Sequence, residues 1–270
     1  MRNGIIVTTG EPRDAAELAR EAELAGWDGV FTWDGIAVGS VDTYDPWVVI
    51  AAMAMRTERV RLGAIVTPPS RRRPWKLARE TMTLDRLSGG RLVLPVGLGT
   101  LDDAGFGNVG EPTEARVRAE LLDESLEILR GLWTGEPFAY EGTHYRFGPM
   151  AFRPPTVQRP GIPIWVVGAW PNERSMRRVL RYDGIFTQVD RPEDVAAIGA
   201  YVAERRPAAL RDRPFEIVVQ GTSNPADAGS VERVRAFRAA GATWWIESDW
   251  SGATVATLRA RIAAGPVDAL

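Results

Sequence analysis

An alternation of two patterns constrains this chain more than any other feature. Short, β-rich apolar runs recur at 4–9 (GIIVTT), 29–33 (GVFTW), 60–66 (VRLGAIV), 91–97 (RLVLPVG), 163–168 (PIWVVG), 184–189 (GIFTQV), 215–221 (FEIVVQG) and 243–248 (TWWIES). Helix-like stretches separate them, several with apolar residues three and four apart and several closing on glycine, the residue that best tolerates a left-handed C-terminal cap. Strands that read as unbroken apolar runs are covered on both faces, as parallel strands beneath helices are. Eight such units in 270 residues, 45% of them hydrophobic, predict one α/β domain over 1–270, a TIM (β/α)8 barrel. The longest departure is 134–162, a hairpin and a proline-rich return inserted after the fourth helix.

What the chain lacks narrows its chemistry. It has no cysteine, one histidine (His144) and one lysine (Lys76), so thiolate nucleophiles, disulfides and cysteine or multi-histidine metal sites are excluded. A formal net charge of -2 gives no electrostatic footprint for nucleic acid or an acidic membrane surface. No apolar run approaches the ~20 residues that span a bilayer, and the N-terminus does not read as a signal, so a cytoplasmic protein is expected. His144 lies among alternating aromatics in EPFAYEGTHYRFGP, which reads as a surface hairpin in which it is structural.

In a barrel of this kind the working groups sit at the C-terminal ends of the strands. The third strand ends there in Ile65, Val66 and Thr67, followed by Pro68, Pro69 and Arg71 to Arg73. Taken alone, the arginines read as a solvated turn ahead of a helix that starts at Pro74, and VGLG (96–99) reads as a tight barrel turn. Trp133 and Trp165 fit helix and strand cores, whereas Trp33, Trp47, Trp170 and Trp250 lie near strand ends, where an aromatic mouth favours a flat or apolar ligand. Asp34, Asp102, Asp103, Glu247 and Asp249 keep open a hydrolase with two acids roughly 5 to 10 Å apart across one bond.

Several segments at these separations form a specific combination: LGAIVTPPSRRRPWKLARETMTLDRLSGGRLVLPVGLG (62–99), EARVRAELLDESLEILRGLW (114–133), YEGTHYRF (140–147), PPTVQRPGIPIWVVGA (154–169) and RYDGIF (181–186). Together they resemble the bacterial luciferase-like superfamily of flavin- and deazaflavin-dependent oxidoreductases. The resemblance implies a TIM barrel with an insertion, FMN or the deazaflavin coenzyme across its C-terminal mouth, and a non-proline cis peptide at Ile65–Val66 behind the ring. It places Asp34, Ile65, Val66, Thr67, Gly97, Gly99 and Thr100 around the cofactor, with Asp34 and Thr100 as the catalytic hydrogen-bonding groups. It also places Gly168, Ala169 and Trp170 at the cofactor phosphate, while Arg177 and Arg178 read as helix-surface charges. Trp33, Trp47 and Trp250 become the substrate pocket. No metal is implied.

Two departures bear on the substrate. Sugar-phosphate dehydrogenases of this superfamily have histidine directly after the aspartate and glutamate where Thr100 stands, whereas this chain reads WDG, with Gly35. The expectation is therefore a reductase or monooxygenase for a small, apolar or flat substrate. It would draw electrons from a reductase or nicotinamide cofactor and assemble as a homodimer, without nucleic-acid or membrane partners. A carboxylate-dependent hydrolase and a flavin-binding barrel without turnover stay open as alternatives.

Overall fold

The computed structural model of the protein describes residues 1–267. In chain order the elements are β1 (Arg2–Ile6), α1 (Pro12–Leu24), β2 (Gly29–Thr32), α2 (Pro46–Ala54), β3 (Arg61–Ala64), α3 (Pro74–Leu87), β4 (Leu94–Val96) and α4 (Ala115–Trp133). The hairpin β5 (Phe138–Glu141) and β6 (Arg146–Met150) follows, then β7 (Ile164–Gly168), α5 (Glu173–Val179), β8 (Gly184–Thr187), α6 (Pro192–Arg205), β9 (Glu216–Gly221), α7 (Ala228–Ala239), β10 (Trp244–Glu247) and α8 (Val255–Ala263). Helix starts follow local chemistry: α1, α2, α3 and α6 have proline in the first turn, where its missing N–H costs nothing, and Asp45, Asn172, Asp227 and Thr254 cap α2, α5, α7 and α8 with a side-chain oxygen.

The eight expected strands form one parallel sheet in the order β3-β2-β1-β10-β9-β8-β7-β4. It closes into the TIM barrel through the β3–β4 bridges Leu62↔Leu92 and Thr67↔Val96. Those bridges leave one more residue on the β3 side than on the β4 side, and the cis peptide Ile65–Val66 lies within that stretch, at the position implied by the resemblance. The insertion is also where it was expected, between α4 and β7.

Two apolar layers hold the barrel. The outer one packs strands against helices through residues such as Leu18, Ile50, Leu77, Leu126 and Ile198. The inner one fills the lumen with Ile6, Phe31, Ile65, Val93, Trp165, Phe186, Val218, Trp244 and Ile246. Trp165 and Trp244 lie early in β7 and β10 with ring centroids 5.3 Å apart, and Phe31 stands 5.9 and 6.2 Å from them. Rings this large fit because β2 and β8 begin with glycine: a Cβ on Gly29 would sit 3.0 Å from Trp244, and one on Gly184 would sit 2.9 Å from Trp165. Among the lumen residues Val66 and Val167, near the C-terminal ends of their strands, are only partly buried. The barrel is thus plugged at the strand starts and shallow at the strand ends.

The LDRLSGGR segment proves to be a clasp. Buried Asp85 accepts hydrogen bonds from Val157 N–H (2.7 Å), Gln158 N–H (3.1 Å) and the Gln158 amide (2.8 Å), which ties the proline-rich return to α3. Arg91 donates to the carbonyls of Ala54 and Thr57 at the end of α2, of Val60 before β3 and of Ser88 at the end of α3, satisfying groups that helix ends leave unpaired. Glu124 on α4 accepts the N–H groups of Thr143, His144 and Tyr145, so the tip of the β5–β6 hairpin is pinned to α4. His144 sits there, outside the mouth, with Nε2 3.2 Å from Glu120.

Because the plug is one packed cluster, Trp244→Ala is expected to cost about 3 to 5 kcal/mol, the usual range for truncating a buried large aromatic. Urea denaturation at neutral pH measures this; a loss below about 1 kcal/mol would mean that the ring is not buried as described.

Candidate active site

The mouth is organised by charge. Arg71, in the 3-10 turn Pro69–Arg71 after β3, donates to the Asp34 carbonyl (2.6 Å) and the Asp34 carboxylate (3.1 Å) with one nitrogen and to Asp103 with another. Arg72 grips Asp34 with two further bonds of 3.1 and 2.7 Å. The side chains of Arg71, Asp34 and Asp103 are 1, 0 and 3% exposed. The solvated arginine turn is therefore corrected: only Arg73 is exposed, because two carboxylates from neighbouring loops draw Arg71 inward and one of them holds Arg72. Arg71 and Arg118 lie 4.9 and 5.4 Å from the Phe106 ring, and Arg118 donates to the carbonyls of Leu98 (2.9 Å) and Gly99 (3.1 Å). Loops after β2, β3 and β4 are joined in this way.

Asp103 shows what sustains the cluster. Burial works against its charge, but the N–H groups of Ala37 and Ile36, the Arg71 guanidinium and the Gly105 N–H hold its carboxyl well below the usual carboxylate range.

The residues picked from sequence divide into three groups. Ile65, Val66, Thr67 and Gly97 come together as the shallow end of the lumen. A Cβ on Gly97 would lie 2.9 Å from Val167 and 3.3 Å from Val66, so this glycine keeps the floor between two valines clear. Thr67 is fully buried, its N–H bonds the Pro95 carbonyl, and its hydroxyl has no protein partner.

A second group serves packing. Asp34 has no exposed carboxylate left for catalysis, since both oxygens are held by arginines. Trp47 is buried in the first turn of α2 beneath Arg72, 5.5 Å from ring to guanidinium, and does not line a substrate pocket. At Gly168 a Cβ would collide with Ile185 and stand 3.2 Å from Val179, so the place of its missing side chain is filled by protein. Gly99 adopts a φ of +75°, open to glycine at little cost, in a turn packed against Phe106 and Pro68. Arg178 is a cross-helix anchor, not a surface charge, with bonds of 2.6 and 2.8 Å to Asp123; Arg177 is exposed as expected.

The third group lines the rim. Thr100 is exposed, its hydroxyl 3.3 Å from Asp102. Trp33 meets Trp250 edge-on at 6.1 Å, and Trp250 is 55% exposed. Trp33 also lines a small recess of about 30 Å³ with Thr8, Thr9, Asp42, Thr43 and Tyr44, and the buried Thr8 hydroxyl has no protein partner. Ala169 and the half-buried Trp170 lead into α5, and Ala169 N–H donates to Ser175 Oγ at 3.0 Å. Arg71, Asp103, Phe106 and Arg118 were not foreseen as an ensemble. Among the described residues there is no cluster of acids and histidine suited to a metal ion.

A family model for the luciferase-like monooxygenases matches residues 1–262. The chain belongs to the luciferase-like monooxygenase family. An uncharacterised Mycobacterium tuberculosis protein is 38% identical to this family member over 154 residues, 57% of this chain and 52% of that one. The F420-dependent glucose-6-phosphate dehydrogenase of Nocardia farcinica is 31% identical over 174 residues, 59% of this chain and 48% of that enzyme. The chain thus spans about half the length of these curated relatives. A Streptomyces bottropensis monooxygenase superposes with a TM-score of 0.81 at 24% identity, covering 97% of this chain and 96% of that one. For the coenzyme F420-dependent tetrahydromethanopterin reductase of Methanopyrus kandleri the TM-score is 0.74 at 16% identity, with 97% of each chain covered. At those identities the two structures establish a shared fold.

The Asp103 carboxyl has a pH signature. A folded value below the ordinary 3.8 means that its stabilisation is complete above that pH and is lost as the pH falls through the lower folded value. The stability gap between the wild type and Asp103→Asn should accordingly be constant near neutrality and shrink below about pH 4. Arg71→Met, which takes the arginine from buried Asp103 and leaves Asp34 to Arg72 alone, is expected to cost about 3 to 5 kcal/mol. Denaturant titrations at several pH values measure both; a gap that does not change on acidification contradicts the role given to Asp103.

Proposed function

We propose that the chain is a flavin- or deazaflavin-dependent oxidoreductase, a reductase or monooxygenase for a small, apolar or flat substrate. The observation that carries this is the shallow end of the lumen. Val66, Val167 and the bare backbone of Gly97 make an apolar floor, edged by a buried Thr67 hydroxyl that lacks a partner. A flat ring fits such a floor and offers the polar atoms that an unpartnered hydroxyl needs. When bound, the flavin or deazaflavin supplies the redox chemistry. Ile65, Val66 and Thr67 support the ring, Gly97 leaves it room, and the Arg71 network holds the surrounding loops. Family membership supports the same reading, as do relatives named for F420-dependent dehydrogenation and for monooxygenation.

Glucose-6-phosphate oxidation does not suit this mouth. A Cβ on Gly35 would overlap the Trp33 ring, so tryptophan occupies the start of the path that a histidine side chain would take from that position. Trp33 and Trp250 give the rim an aromatic face. The hydrolase alternative needs a carboxyl kept protonated near neutrality. Asp34 and Asp103 are committed to arginines, and Glu247 is enclosed by Ser223 N–H (2.7 Å), Ser223 Oγ (2.6 Å) and Arg261 (3.0 Å). Asp249 is held below its usual range by the Ser251 hydroxyl and N–H.

We further propose a cytoplasmic homodimer whose electrons come from a reductase or a nicotinamide cofactor. Exposed Val48 on α2 and Met55 at its C-cap support a second copy packing there, and no helix among the described residues is long and apolar enough to cross a membrane.

Spectral titration with FMN and with the deazaflavin coenzyme is the direct test. Saturable binding of one of them is expected, with Gly97→Leu at least about tenfold weaker in a folded protein because the side chain enters the seat. No saturation below about 1 mM with either cofactor removes the assignment. Once a substrate is found, His144→Ala should leave kcat within about threefold, since a general acid or base ordinarily contributes ~100-fold or more. A hundredfold loss would restore a histidine-dependent mechanism.

A further inference from the structure

We propose that the cleft between α4 and α5 binds the oligocarboxylate tail of the deazaflavin coenzyme. The proposal rests on the deazaflavin branch of the function given above. The cleft has a volume of about 240 Å³ and is walled by Arg116, Arg174, Arg177, Arg178 and Arg181 together with Glu120 and Asp123. Each of its acids is already engaged. Arg116 pairs with Glu120 at 2.9 Å, which also meets His144, and Arg178 takes both oxygens of Asp123 at 2.6 and 2.8 Å. Arg181 pairs outside the cleft, with Glu127 at 2.6 Å. Arg174 and Arg177 are exposed, and neither has a hydrogen bond or ion pair among the described residues. Two uncompensated guanidinium groups therefore face one concave surface in a chain whose formal charge is -2. This is a local concentration of positive charge, not a reflection of a basic protein.

Geometry selects an elongated anion. Arg174, Arg177, Arg178 and Arg181 are spaced to share one face of α5 and its C-terminal extension, with the first two one helical turn, about 5 Å, apart. A single phosphate is compact, so it bridges Arg174 and Arg177 and reaches no further along the cleft. A chain carrying carboxylates at intervals satisfies both and can continue along the cleft. The location also fits, because α4 and α5 start on the side of the barrel where the strands end, and Ala169 to Asn172 run from β7 directly into α5. A cofactor seated over Gly97 and Val167 thus has an exit toward Arg174. FMN ends in one phosphate and has nothing to place there, whereas the deazaflavin coenzyme continues past its phosphate into a string of carboxylates.

The test compares the full-length protein with Arg174→Gln/Arg177→Gln, both checked for fold by circular dichroism and melting temperature. Three probes are titrated at low and high salt: the coenzyme with a long glutamyl tail, the coenzyme with a single glutamate, and the tail-less deazaflavin chromophore. The wild type should bind the long-tailed form roughly threefold to tenfold tighter than the short one, the range expected of a few exposed charge pairs, and salt should erase that preference. The double variant should lose the preference while binding the chromophore as the wild type does. Equal affinity of the wild type for long and short tails, or an unchanged preference in the variant, overturns the proposal but leaves the deazaflavin seat standing. A competing effect of inorganic phosphate as large as that of the tail overturns it in favour of a general anion site. If the wild type binds none of the three probes, the deazaflavin branch itself falls, and this proposal falls with it.

Discussion

One guanidinium between two buried carboxylates organises the mouth of this barrel. Arg71 reaches Asp34 at the end of β2 and Asp103 in the loop after β4, and it stands in the turn after β3. Buried ion pairs are weak evidence for net stability, because the desolvation they require offsets much of the attraction. What this one provides is position. A planar fork with fixed donor directions holds two acids at set angles, which a lysine acting as a point charge does not do. The opposite end of the barrel is tied by single charged side chains that bind backbone: Glu23 accepts the N–H groups of Glu58, Arg59 and Val60, and Arg91 collects carbonyls from the end of α2.

Fixing the loops with charge has a chemical consequence. The acids buried at the strand ends are spent on structure, which leaves the lumen end apolar and the rim aromatic and hydroxyl-bearing. Such a surface orients and desolvates a planar molecule; it has little to offer in proton transfer. The division of labour is coherent with a protein that borrows its reactivity from a cofactor.

The strand rhythm was legible because strands buried on both faces must be apolar throughout; the insertion showed as a break in that rhythm, and the cis peptide came with the family resemblance that contiguous motifs carry. Contacts between distant segments were not legible. Arg71 lies 37 residues from Asp34 and 32 from Asp103, so nothing near RRR distinguishes an inward arginine from a solvated one. Glycine was ambiguous for a related reason. Gly97 borders a floor and Gly168 borders Ile185, yet both appear in sequence only as a missing side chain at a strand end. Trp47 followed the same logic: nearness to a strand end fixed its height along the barrel but not whether its ring turned toward the lumen or under Arg72.

The overlap between Trp33 and the space beside Gly35 couples what the two positions can hold. A side chain at 35 meets the indole as it now stands, and a smaller residue at 33 widens the recess that Trp33 lines. Passage between this mouth and a histidine-bearing one therefore asks both positions to change together. Sequences drifting on either side of that paired change should keep the two positions in step, tryptophan with glycine or a small residue with histidine, long after the rest of the loop has diverged.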